Sequence, residues 1–309
     1  MDYDETLNLA IKRCQQSSYY DWQSFFNIYP FTTENIAGYI NLFDLKGKSL
    51  LTVGSSCDQI LNAILMGCSD ITLLDINPFV KHYYYLKICA ILELDLNNYL
   101  AFFRYKDYPN VFDDNKEVFN IDTFNKIKDT LRLLDYEAYL FWDELFQTYS
   151  PLIVRDHLFS MDERQNNVII GSNYYLQNSK YYKLLKKNIM KVRLLFINDD
   201  ILDFESDKQY DNIWLSNITT YFKDDKMIDI TVNKYYKLLN NNGLLLYSYL
   251  YETKSKNDSY NNNEPLIYNF KYFFDKYKKF NPEIIPFTGV FSILHDIKSA
   301  KDAVLVLKK

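Results

Sequence analysis

Asp75 is the residue whose type and place most directly imply chemistry. It closes a short apolar run, Ile71 to Leu74, which follows an earlier apolar run, Ser49 to Val53. Between them lie a polar turn from Gly54 to Asp58, a helical stretch from Gln59 to Met66 and the stop residue Gly67. Two apolar strands joined by a crossover helix form a parallel βαβ unit. Such a unit holds its ligand beyond the carboxyl ends of its strands, at the point where strand order reverses. A carboxylate at the end of the second strand can accept both hydroxyls of a ribose. The pattern therefore points to an adenosyl-type nucleoside.

The turn selects among such nucleosides. A dinucleotide site needs G-x-G-x-x-G so that the backbone can approach a pyrophosphate. Only Gly54 is present here; Ser56 and Gln59 stand where the other glycines belong. NAD and FAD are disfavoured. S-adenosylmethionine carries no phosphate and needs one close approach, at Gly54, plus polar groups for its amino-acid end. Ser55, Ser56, Asp58 and Gln59 can supply them. Asp58 is also placed to cap the helix, a role compatible with ligand contact.

The rest of the chain must build the sheet that positions this turn. Further strands are expected at Val192 to Ile197, Tyr210 to Asn217 and Leu244 to Leu250, with a helix at Asp224 to Leu239. Val290 to His295 and Ala303 to Lys308 are expected to pair as antiparallel closing strands. The fold class is thus α/β: a Rossmann-like, mostly parallel, doubly wound sheet with an antiparallel closing strand. Residues 1–45 are expected to form an N-terminal helical cap, broken near Tyr29 to Glu34, with Tyr29 to Asn35 folding over the donor as a lid. Residues 46–309 form the nucleoside-binding domain. Its stretch from about 100 to 188 is helical in pattern and too long for a connection. We read it as an insertion that shapes an acceptor pocket, with Leu131 to Phe146 as the apolar lining.

Composition sets outer limits. The chain has 309 residues, 48% of them hydrophobic, enough for a sizeable core. No apolar run approaches the ~18 residues of a membrane span, and the N-terminal residues lack the apolar middle of a signal peptide. A cytoplasmic location is expected. The cysteines (Cys14, Cys57, Cys68, Cys89) show no C-x-x-C spacing and read as free thiols. Three scattered histidines give no metal set, and a net charge of −5 does not suggest a nucleic-acid partner. Oligomeric state is not legible.

The order of elements resembles the class I S-adenosylmethionine-dependent transferase fold over about residues 46–100 and 190–309. That resemblance implies that Gly54 to Gln59 embrace the methionine part and that Asp75, with Ile76 and Asn77 after it, holds the ribose. It places Asp199 or Asp200 at the adenine amine, and Ser216 and Asn217 beside the sulfonium and acceptor. A narrower string, Ser56-Cys57-Asp58-Gln59-Ile60-Leu61-Asn62-Ala63-Ile64-Leu65-Met66-Gly67, is followed by Asp75-Ile76-Asn77-Pro78 and Leu86-Lys87. It resembles the betaine-lipid synthases, as does Leu215-Ser216-Asn217-Ile218. Members of that family transfer the 3-amino-3-carboxypropyl group of S-adenosylmethionine to diacylglycerol.

The resemblance implies aminocarboxypropyl transfer from S-adenosylmethionine, as co-substrate, to a small-molecule acceptor, with release of methylthioadenosine. Methyl transfer is the alternative, and a non-catalytic nucleoside-binding module is the alternative from another class. For catalysis, Asn217, Tyr221 and Tyr249 are the candidates, since tyrosine π-faces can stabilise a sulfonium. Tyr247, Tyr249 and Tyr251 also alternate as one face of a half-buried strand would. His157, beside Arg155 and Asp156, reads as a surface polar cluster or, less simply, as a general base.

Overall fold

Consecutive apolar residues in the first strand face opposite ways, and this gives the sheet a core on each side. Leu50 joins one buried cluster and Leu51 the other. The computed structural model describes residues 1–16, 26–103, 118–160, 166–222, 224–248, 270–289 and 301–309. Its strands are β1 (Ser49–Val53), β2 (Asp70–Asp75), β3 (Arg193–Asn198), β4 (Tyr210–Trp214), β5 (Leu239–Tyr247), β6 (Glu283–Thr288) and β7 (Lys301–Lys308). They form one sheet in the order β3-β2-β1-β4-β5-β7-β6. β1 to β5 are mutually parallel, and β7 runs antiparallel to both β5 and β6. The expected Rossmann-like sheet with an antiparallel closing strand is what forms. Strand order reverses between β1 and β4, so the switch point lies at their carboxyl ends.

The helices are α1 (Tyr3–Cys14), α2 (Asp58–Leu65), α3 (Phe79–Glu93), α4 (Leu96–Phe103), α5 (Ile121–Leu134) and α6 (Tyr136–Thr148). They continue with α7 (Pro151–Leu158), α8 (Asn166–Ser172), α9 (Tyr174–Gln177), α10 (Ser179–Ile189), α11 (Asp225–Lys237) and α12 (Phe270–Lys276). On one face, α2 and α3 pack on Leu50, Ile71, Leu73 and Trp214. On the other, α11 and α12 bring Ile228, Val232, Tyr235 and Phe273 onto Leu51, Ile213 and Leu245. Full burial of such side chains contributes roughly 1.5–3 kcal/mol each.

Three expectations shift. Val290 to His295 lies outside the described residues, and the partner of the closing strand is β6, earlier in the chain. The helix expected from Glu34 is instead two 3₁₀ turns, Ile36–Gly38 and Ile40–Leu42. The Asn35 side chain accepts from the Gly38 amide at 3.1 Å, and Glu34 is turned inward. The third concerns the stretch from 100 to 188. Its helices α5 and α6 pack on α3, and α10 packs on α2. Phe141 stacks on His82 at 4.4 Å, and the Trp142 indole donates to the His82 carbonyl at 2.9 Å. Leu131, Phe141, Trp142 and Leu145 are therefore buried in the main core. Burial pushes the His82 imidazole down to about 3, which keeps it neutral.

Candidate active site

The end of β2 delivers Asp75 to the edge of the sheet, half-buried. Its Oδ2 accepts from the Ser55 amide and its Oδ1 from the Asn77 amide, each at 2.8 Å. Burial raises its pKa, while the amides of Asn77, Ser55 and Gly54 favour the charged form. A carboxylate offers about four acceptor positions in all, so these amides do not exhaust it. The bend that presents these amides puts Ser55 (φ 45°) and Cys57 (φ 65°) in the left-handed region. Such geometry costs on the order of 1–3 kcal/mol and persists only where surrounding contacts fix it.

Gly54 is required by the fold itself. A Cβ there would lie 2.4 Å from Val80 Cγ1, 2.8 Å from Asp75 Oδ2 and 2.9 Å from Leu73 Cδ2. The close approach that glycine permits is therefore between β1 and the acid of β2, and not first of all to a ligand.

Asp58 departs further from expectation. It is not the cap of α2, which is Cys57. It is fully buried and forms an ion pair with Lys87 Nζ at 2.6 Å. Its Oδ1 also accepts from Tyr175 Oη at 2.7 Å, and its Oδ2 from the Thr32 amide at 2.6 Å. Lys87 Nζ donates to the Ser56 carbonyl at 2.8 Å and lies 4.7 Å from the Phe31 ring centroid. This pair ties the turn to α3, to α9 and to the segment before β1. Ser56 is buried as well, its hydroxyl accepting from the Asp58 amide at 3.3 Å. Asp58 and Ser56 thus serve the fold, because their polar atoms are turned inward and occupied.

Gln59 is also buried, and its amide points to a residue that sequence reasoning passed over. Gln59 Nε2 donates to Glu34 Oε2 at 3.0 Å. The same oxygen accepts from Ser216 Oγ at 3.0 Å, and Tyr39 Oη donates to Oε1 at 2.8 Å. Glu34 therefore bridges the β1 turn and the end of β4, at the switch point. Burial raises its pKa against these neutral donors. Tyr29 to Asn35 lies against the turn after β1, with Thr32 and Glu34 buried there.

The remaining candidates divide. Asn77 is buried, with Oδ1 accepting from the Phe79 amide at 3.0 Å and Nδ2 donating to the Asn27 carbonyl at 3.2 Å. It fixes the start of α3. Ile76 is exposed beside it. Asp199 and Asp200 are half-buried after β3. Asp199 Oδ1 accepts from the Asp200 amide at 2.9 Å and Asp200 Oδ1 from the Leu202 amide at 2.7 Å, so each carboxylate carries one backbone amide. Ser216, at φ 49°, and Asn217 are half-buried beyond β4. Tyr221 is 46% exposed on the following 3₁₀ turn. Tyr249 and Tyr251 lie outside the described residues. Tyr247 ends β5 as a core residue on the α11 side. Arg155 pairs with Asp156, so the neighbourhood of His157 is a polar cluster.

No protein-family model matches the chain, and no curated protein matches it in sequence. Solved structures resemble it at low identity. An N-methyltransferase, NodS from Bradyrhizobium japonicum in complex with S-adenosyl-L-homocysteine, aligns over 98% of this chain and 98% of that one, at 9% identity and TM-score 0.41. A phosphoethanolamine N-methyltransferase from Haemonchus contortus aligns over 99% of this chain and 49% of its own, at 7% identity and TM-score 0.41. A putative S-adenosylmethionine-dependent methyltransferase from Listeria monocytogenes aligns over 87% of this chain and 94% of that one, at 9% identity and TM-score 0.37. Likeness at this level says nothing about individual site residues.

Proposed function

We propose that the chain is a transferase that uses S-adenosylmethionine as co-substrate. The observation that carries the reading is Asp75: a half-buried carboxylate at the carboxyl end of β2, held by the backbone amides of the β1 turn and of Asn77 with acceptor capacity to spare. A ribose diol suits such a carboxylate. The turn beside it holds no further glycine for a pyrophosphate, which argues against a dinucleotide. Asp199 or Asp200, after β3, is the acid for an adenine amine. Ser216 and Asn217, beyond β4, stand where the reacting end of the donor would lie. These residues bind and orient; the donor supplies the electrophile.

In either transfer, a nucleophile on the acceptor forms a bond to a carbon of the sulfonium. The carbon–sulfur bond breaks, its electron pair stays on sulfur, and the nucleophile's proton leaves. Holding the nucleophile in line is the chief catalytic contribution available to such a site. The resemblance of the Ser56 to Gly67 string to the betaine-lipid synthases supports aminocarboxypropyl transfer, and methyl transfer, the alternative, uses the same donor site. Incubating the protein with S-adenosylmethionine and candidate acceptors, then identifying the nucleoside by mass, separates them. Methylthioadenosine marks the first and S-adenosylhomocysteine the second. Binding without either product, across amine, hydroxyl and thiol acceptors, would mark a non-catalytic module and reject the proposal.

A further inference from the structure

Glu34 is a buried carboxylate without a counter-charge. It is 2% exposed, and its hydrogen-bond donors are the neutral Tyr39, Gln59 and Ser216. Among the described residues no lysine, arginine or histidine pairs with it. Lys87, the fully buried cation of this region, is committed to Asp58. Among the described residues the other charged groups near the cluster are acidic. Asp302 lies near enough to Tyr39 to raise its pKa, and Asp75 is held by the same turn that supplies Gln59. A desolvated carboxylate is retained in a fold where a cation or a full set of hydrogen bonds compensates it. Here the donors fill about three of its roughly four acceptor positions.

Unpartnered polar groups lie at the same edge. The Ser248 hydroxyl, just beyond β5 and 3% exposed, sits close enough to Glu34 to favour its charged form, yet it completes no hydrogen bond of normal geometry. The Trp214 indole N–H, at the end of β4 and 2% exposed, also lacks a partner. Buried orphans of this kind call for an explanation, and a ligand is one. They belong to β4 and β5, and Glu34 is anchored to the β1 turn and to Ser216. Ser248 and the uncompensated charge thus meet at the switch point, where an α/β sheet binds its ligand, while the Trp214 ring packs against Tyr39, itself a donor to Glu34.

We propose that Glu34 is the anionic subsite for a primary ammonium group of the ligand. This rests on the donor reading above and deepens it. Two molecules could bring that group: the donor, through its amino-acid end, or an amine acceptor. In either case the ammonium donates to the open acceptor position on Glu34 and supplies the missing positive charge. The Glu34 carboxylate touches the ligand but need not take part in bond breaking. The proposal gives the chain a means of selecting for the amino-acid end of the donor that Asp75, a diol acceptor, cannot provide.

The test is calorimetric titration of wild type and Glu34→Gln with S-adenosylhomocysteine and with its desamino analogue, in which hydrogen replaces the amine. If the donor brings the ammonium, wild type binds S-adenosylhomocysteine at least tenfold more tightly than the analogue. Glu34→Gln then loses that preference while keeping its affinity for the analogue. If an acceptor brings it, both nucleosides bind the two proteins alike. In that case 1,4-diaminobutane binds nucleoside-saturated wild type and not Glu34→Gln. A variant that weakens both nucleosides equally, or that changes neither nucleoside nor diamine binding, overturns the proposal. Should Glu34→Gln fail to fold, the wild-type comparison stands alone: equal affinity for the two nucleosides together with no diamine binding is the refuting result. Wild type that binds neither nucleoside refutes the donor reading instead.

Discussion

Replacing Lys87 with methionine should destabilise the protein far more than its single charge suggests. Lys87 Nζ is fully buried, 2.6 Å from Asp58 Oδ1 and 2.8 Å from the Ser56 carbonyl. Lys87→Met leaves Asp58 ionised in the core with only Tyr175 and the Thr32 amide as donors. Removing one partner of a buried pair costs about 3–5 kcal/mol. The orphaned Ser56 carbonyl adds about 1–3 kcal/mol. Methionine replaces most of the aliphatic volume, so no comparable cavity term enters. The total is a large fraction of the ~5–15 kcal/mol that separates folded from unfolded states. Urea unfolding measures it as a lower midpoint at unchanged slope. The double variant Lys87→Met/Asp58→Asn removes the stranded charge, and should recover at least ~2 kcal/mol relative to Lys87→Met alone. A loss below ~1 kcal/mol in the single variant, or a double variant no more stable than it, would refute the assignment of this pair as the fastening of the donor turn.

Three further outcomes follow from the same contacts. Gly54→Val should lower the melting temperature, because its side chain enters space held by Val80, Asp75 and Leu73; overpacking of this kind costs about 1–3 kcal/mol or more, and an unchanged melt would contradict the geometry. Burial raises the pKa of both Glu34 and Asp75 in the folded state. The folded chain therefore binds protons that the unfolded chain has released, and the stability from these two groups is full below the unfolded values of ~4 and is lost as pH rises through the raised folded values. Stability should accordingly fall less steeply from pH ~4.5 upward in Glu34→Gln than in wild type, by up to ~1.4 kcal/mol per pH unit for one proton; parallel curves of urea midpoint against pH would contradict this. Finally, replacing residues 105 to 185 by a short Gly/Ser linker should abolish folding, since it removes Trp142 and Tyr175 from the core; a soluble variant with wild-type near-ultraviolet circular dichroism would show that the stretch is a separable lid after all.

The central βαβ unit was legible because its signals are local. Ser49 to Val53 and Ile71 to Leu74 are apolar runs bounded by Gly54 and Gly67, and they became β1 and β2 within a residue at each end. Asp75 was placed by that unit alone. What could not be read depends on contacts distant in sequence. Asp58 looked like a cap because of its place before an apolar run, but Lys87 and Tyr175 claim it from 29 and 117 residues away. A signal for Lys87 did exist: it is the lysine deep in an otherwise apolar and aromatic stretch, Tyr83 to Leu92, and a cation there needs a buried partner. Glu34 carried no such signal. It sits in a polar run before Ile36, and nothing local distinguishes a carboxylate that turns in from one that faces water. The stretch from 100 to 188 was read as an addition because it interrupts the sheet in sequence, whereas in space its helices complete the face covering α3.

The central claim is that Asp75 holds the ribose of an S-adenosyl nucleoside. Titrating S-adenosylhomocysteine into wild type and Asp75→Ala, with both shown to be folded by circular dichroism, tests it directly. Wild type should bind in the micromolar range. Asp75→Ala should bind about ten- to hundredfold more weakly, matching the ~1.5–3 kcal/mol of hydrogen bonds to a charged group. Equal affinities in the two proteins, or no binding to wild type, would contradict it.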